Sequence, residues 1–196
     1  MSVAPLPDWA IPPYEGFVAE DLDRLPELPS HTELIDGSLI FVSPQASFHI
    51  RIISLLEYAL RASLPARLKV RREMTVTLGL RQRPESDLMI ILGESDRDLD
   101  QTSFLPEDLV LAVEVISPES RVRDQKRKPT LYAEAGIAHF WLIENVDGSA
   151  SRQVHRIDPD PDEVRFTARG AYSLRGFECG GKCPAVCDGD PDERAV

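Results

Sequence analysis

The stretch that most constrains the fold is "LVLAVEVI", residues 109–116, which contains neither glycine nor proline and is apolar at every position but one. A short, nearly continuous apolar run reads as a strand covered on both faces, because a strand with one wet face alternates. Such a strand needs a sheet with further layers above and below it. "SDLMIIL" (86–92) has the same character, and "AHFWLIEN" (138–145) supplies a third buried strand. The first two belong in the middle of the sheet.

Glu114 is the exception within the first run. Period-two geometry puts it on the same face as Val110, Ala112 and Ile116. An ionised carboxylate there costs several kcal/mol unless a cation or hydrogen bonds compensate. Asp87 raises the same problem one strand earlier, opening the apolar run "LMIIL". If the two strands are neighbours, about 5 Å apart, the carboxylates converge. Two hard oxygen ligands suit Mg²⁺ or Mn²⁺, which keep several waters and take substrate phosphate oxygens. A phosphodiester is then the natural substrate. Cations follow directly, since "ESRVRDQKRK" (119–128) holds five basic residues against two acids. A lysine reaching the site could orient the attacking water or neutralise developing charge.

The rest of the chain reads as one α/β (α+β) domain with a mixed sheet. Six of the sixteen prolines fall in the first thirty residues, so residues 1–30 form an extended arm with a short helix around Phe17 to Leu25. "HTELIDGSLIFVS" (31–43) is a hairpin turning at Asp36-Gly37, where both positions tolerate positive φ. "ASFHIRIISLLEYALRAS" (46–63) is a helix whose buried stripe is Ile52, Leu55, Leu56, Ala59 and Leu60. Leu68 to Leu78 alternates like a strand. A second helix runs from about Lys126 to Ala135 and stops at Gly136. Gln153–Ile157 and Val164–Ala168 form a C-terminal hairpin, closing a domain at 31–175. Residues 176–196 are an acidic tail expected to fray. They carry Cys179, Cys183 and Cys187, whose spacing matches no usual zinc motif, so free thiols are expected.

The net charge of −11 argues against a protein that coats nucleic acid by charge alone. A local positive spot on an acidic body remains compatible with phosphate contacts. No apolar run approaches the roughly 20 residues needed to span a bilayer. The N-terminal segment has no export pattern, so a cytoplasmic protein with no membrane partner is expected.

The succession "ELIDG", an apolar helix led by His49, "SDLMII", "LAVEVISPES", Asp124-x3-Lys128 and "LYAEAGIAHFWLIEN" resembles the Uma-two family of endonucleases. That family belongs to the PD-(D/E)XK, restriction-endonuclease-like superfamily. The likeness runs from about residue 31 to residue 145. It implies a restriction-endonuclease-like mixed central sheet flanked by helices. Asp87 then matches the aspartate of the PD element and Glu114 the acid of the (D/E)XK element, both as ligands of Mg²⁺ or Mn²⁺. Lys128 matches the family's displaced lysine, and Glu33, in "ELIDG", adds a third carboxylate. Two positions depart from the pattern: Ser86 precedes Asp87 where the family commonly has proline, and Pro129 follows Lys128. Proline is comfortable only in a first helical turn, which makes Lys126 a rival for the lysine role.

The leading expectation is a divalent-metal-dependent endonuclease hydrolysing DNA, with an acidic chain gaining grip from a partner or a homodimer. Two others stand beside it: a catalytically inactive interaction protein that keeps the nuclease fold, and a metal phosphohydrolase for small substrates. Glu114 could instead pair with Arg121 or Arg123, and Asp87 could cap a turn. Glu33 could be an exposed strand residue. His49 could be a buried, hydrogen-bonded histidine or lie near the metal. Tyr132 and Gly136 read as packing and a helix stop.

Overall fold

A computed structural model describes residues 7–42, 44–146, 149–157 and 166–173. The acidic tail with its three cysteines lies outside the described residues. Seven strands form one mixed sheet in the order β5-β3-β4-β6-β7-β8-β9, where β3 is Leu68–Val76, β4 Glu85–Leu92, β5 Ser103–Phe104, β6 Leu109–Val115, β7 His139–Val146, β8 Ser149–Ile157 and β9 Phe166–Ser173. The two near-continuous apolar runs, β4 and β6, are central antiparallel neighbours, paired Leu88↔Val113 and Met89↔Ala112. β6 and β7 pair in parallel and are joined by a helical crossover. β8 and β9 form a C-terminal hairpin where one was expected, but both strands are longer: β8 begins at Ser149 rather than Gln153 and pairs with β7 over Ser149–Arg156, and β9 continues past Ala168 to Ser173.

Both faces of the central strands are covered. Helix α2, Ser47–Ser63, lays Ile53, Leu56 and Leu60 on Leu88, Ile90, Leu111, Val113 and Val115. On the opposite face, Tyr132 and Ile137 pack on Met89, Ile91, Ala112, Phe140 and Leu142. The buried stripe of α2 departs from the expected one. Ile53 is fully buried, whereas Leu55 is 37% exposed and Ile52 only partly buried. His49 is buried on the same stripe, and His49, Ile53, Leu56 and Leu60 follow i, i+4, i+7, i+11, a true 3.6-residue period. Leu56, Ala59 and Leu60 are buried as expected, and only Ile52 and Leu55, nearer the start of the helix, fall off the stripe.

Strands β1, Thr32–Ile35, and β2, Ser38–Phe41, make a separate two-stranded sheet. Asp36 and Gly37 turn it with φ of 53° and 74°, as a two-residue hairpin of this hand requires. An antiparallel bridge between Leu34 and Arg83 pins the hairpin beside the entry to β4. Arg83 is buried and donates to Thr75 Oγ1, to the carbonyl of Ala19 and to Asp23, so it also fastens the N-terminal arm and its short helix α1, Asp21–Arg24.

The expected helix over Lys126–Ala135 is built differently. Helical backbone begins at Arg121, widens into a π-turn over Arg123–Arg127 and continues as α3, Lys128–Glu134. Pro129 explains the widening, because its ring would collide with the carbonyl four residues back in a regular helix and it has no N–H to donate. The Lys128 amide instead reaches the Arg123 carbonyl, five residues back. Gly136, with φ 83°, ends α3, and the Ile137 amide closes back on the Tyr132 carbonyl. Among the described residues no helix is long and apolar enough to cross a membrane.

Candidate active site

Asp87 and Glu114 stand where the central pair of strands runs out into a cleft of about 320 Å³. Extending the Leu88↔Val113 register by one residue sets them opposite each other on the α3 face. Asp87 reaches across to the next strand: Oδ2 accepts the Val115 amide at 2.6 Å. Its Oδ1 lies 3.1 Å from His49 Nε2, at the start of α2. Glu114 is 1% exposed, and both its oxygens are engaged. Lys128 Nζ donates to Oε2 at 2.9 Å and the Tyr132 hydroxyl to Oε1 at 2.8 Å.

Lys128 is the hub. Its ammonium is buried and lies 2.5 Å from Glu33 Oε1 and 3.8 Å from Asp124 Oδ1, and it also donates to the Glu85 carbonyl at 2.8 Å. The π-turn is what aims it there: Lys128 has helical φ and ψ, and Lys126 is exposed. Of the two lysines, only Lys128 meets the carboxylates. Glu33 is brought over the cleft by the hairpin and is 2% exposed, not the surface residue its place beside a turn suggests. Arg123 Nε lies 3.0 Å from Glu33 Oε2, although the two are not aligned for a hydrogen bond. Arg121 pairs with Glu144, so neither arginine serves Glu114.

Burial governs the titration of this cluster. Desolvation pushes Glu114 well above the usual carboxylate range; nearby Asp87, Asp124 and Glu33 add to the rise and Lys128 opposes it. Asp124 is raised mainly by burial, as is Glu85 at the cleft wall, where the bond to His31 opposes the rise. Burial would lower Lys128, but Glu114, Glu33 and Asp124 prevail and hold it well above an ordinary lysine.

The charges do not balance. Six carboxyl groups line the cleft, those of Glu33, Glu73, Glu85, Asp87, Glu114 and Asp124, against two basic side chains, Lys128 and Arg123. In a partly dehydrated cleft that excess calls for a proton or a further cation. Among the described residues no three His, Cys, Asp or Glu side chains are grouped closely enough to hold a metal ion by themselves. A Mg²⁺ or Mn²⁺ ion held by Asp87 and Glu114 alone, with waters and substrate oxygens completing its shell, fits this donor set. Each carboxylate also keeps acceptor capacity, since an ionised carboxyl offers about four lone-pair sites.

In the sequence Asp124 figures only as part of the motif Asp124-x3-Lys128, Arg123 only as an alternative partner of Glu114, Tyr132 only as packing, and Glu85 not at all. A further signal for Asp124 and Tyr132 is spacing, because Asp124, Lys128 and Tyr132 recur at i, i+4, i+8.

Comparison with known proteins agrees with the fold. In the crystal structure of "a putative nuclease belonging to DUF820" from Anabaena variabilis, the same fold recurs at a TM-score of 0.58 and 16% identity, over 88% of this chain and 92% of that one. No curated protein matches the chain. The model of the Uma2 family, described as "Putative restriction endonuclease", matches residues 19–171, and the chain belongs to that family.

Proposed function

We propose that the protein is a divalent-metal-dependent endonuclease that hydrolyses phosphodiester bonds in DNA, with Asp87 and Glu114 holding Mg²⁺ or Mn²⁺. The observation that carries this reading is the buried Lys128 ammonium set against Glu114 at the floor of the cleft that Asp87 also lines. A bound ion would polarise a phosphoryl oxygen and lower the pKa of a bound water. The chain's own residues do the rest. Lys128 supplies a fixed positive charge where negative charge builds on the phosphate. His49 and the Val115 amide hold the Asp87 carboxylate in place. Family membership supports the nuclease role, and the excess of acid in the cleft supports the need for a cation.

The test is nicking of supercoiled plasmid with added Mg²⁺ or Mn²⁺. Cleavage by the wild type is expected to fall to background with EDTA and in Glu114→Gln. Cleavage that persists in either case rules the site out.

One observation favours a second reading, a non-catalytic interaction protein on the nuclease fold: each oxygen of Glu114 already accepts a hydrogen bond from within the chain. That reading predicts no cleavage of any nucleic acid and no heat of Mn²⁺ binding in calorimetry.

A further inference from the structure

Tyr132 is fully buried in the apolar cluster beneath the cleft, its ring 5.8 Å from that of Phe140. Packing explains the ring and leaves the hydroxyl unexplained, because phenylalanine would fill the same space without a polar group to satisfy. Among the described residues the hydroxyl has one hydrogen-bond partner, Glu114 Oε1, at 2.8 Å. Lys128, one helical turn earlier on the same face, donates to the other oxygen, Oε2, at 2.9 Å. The two side chains hold the carboxylate by both ends from a single helix. That helix is itself fixed in rotation, by the π-turn before it and by the Gly136 closure after it.

From this two-ended grip we infer that Tyr132 is a positioning residue: its hydroxyl sets the plane and rotamer in which Glu114 meets the ion. The inference rests on the metal-dependent reading of the site. Lys128 alone would leave the carboxyl free to turn about its bond to the ammonium, so the neutral donor is what defines the orientation. Partners of this kind, one step removed from a metal, typically change affinity by about 10- to 100-fold when removed.

The experiment is Mn²⁺ titration by calorimetry of the wild type, Tyr132→Phe, Tyr132→Met and Phe140→Leu, with a thermal melt of each. Tyr132→Phe keeps the ring and loses the donor, and its Mn²⁺ dissociation constant is expected to rise about tenfold or more. Tyr132→Met, which fills much of the space without a donor, is expected to lose affinity to the same extent and serves if the first variant does not fold. Phe140→Leu damages the same packing but leaves the hydroxyl; it is expected to melt earlier with its Mn²⁺ affinity within twofold of wild type. A purely structural role for Tyr132 predicts instead that affinity and melting temperature move together in all three. Wild-type affinity in Tyr132→Phe overturns the inference while leaving the metal site standing. Absence of Mn²⁺ binding by the wild type itself overturns both.

Discussion

Lys128 is 3% exposed and lies between Glu114 and Glu33, so its ammonium is the main compensation for two buried carboxylates. Breaking a buried ion pair from one side strands the other partner, and the usual cost is about 3–5 kcal/mol. Lys128→Met is therefore expected to lose about that much stability in urea denaturation at neutral pH, besides losing nuclease activity. A loss under about 1 kcal/mol would mean that protons already neutralise the acids. At this scale, Asp87 and Glu114 stood out because an acid in an apolar run is hard to explain otherwise, whereas the downstream cations left Lys126 and Lys128 as rivals and only the family resemblance pointed to Lys128. Glu33 and Tyr132 stood out less. Glu33 sits in a four-residue strand whose burial depends on a hairpin folding over residues more than fifty positions away. Tyr132 reads as core from its neighbours, and only Glu114, eighteen positions earlier, shows what its hydroxyl does.

Helix α2 offers a direct check on its corrected buried stripe. Ile53→Ala is expected to cost about 2–5 kcal/mol, the range for emptying a well-packed aliphatic site. Leu55→Ala is expected to stay within about 0.5 kcal/mol, as surface changes do. Equal losses in chemical denaturation would return Leu55 to the core. The turn after β4 adds a pH-dependent contribution. Asp96 accepts from Lys69 Nζ at 2.8 Å and from Arg71 Nε at 2.9 Å, and these bonds, the one from Lys69 most of all, hold its carboxyl below the usual aspartate value. A depressed folded-state pKa stabilises above the unfolded value, about 3.9, and that stability is lost as pH falls through the lower folded value. Asp96→Asn should thus lower stability at pH 6, with the difference from wild type shrinking as pH falls below the usual aspartate range. A difference that grows with acidity would contradict the pairing. Long apolar elements were legible by period and composition. The two-residue β5 is too short to carry a period, and the π-turn follows from Pro129 only once Lys128 is required to face inward.

The whole chain carries a net charge of −11, and acids outnumber cations around its cleft. A polyanion approaching such a surface gains little from counterion release. Divalent ions should therefore be needed for binding as well as cleavage. In fluorescence anisotropy at about 0.1 M salt, where charges more than roughly 10 Å apart are screened, labelled duplex is expected to bind with Mg²⁺ and not with EDTA. Equal binding in both would place the DNA on some other surface. Strand order is the property of the whole that sequence conveys least, since the hairpin signals and the helical crossover suggest neighbours but not how the pairs join. The central placement of β4 and β6 was the exception, because only strands covered on both faces read as unbroken apolar runs. Their adjacency is what makes one cleft of two acids, and a crystal soaked in Mn²⁺ tests that claim most directly. The account predicts anomalous density between the carboxylates of Asp87 and Glu114; density elsewhere in the cleft, or none with the soaked ion in excess, would contradict it.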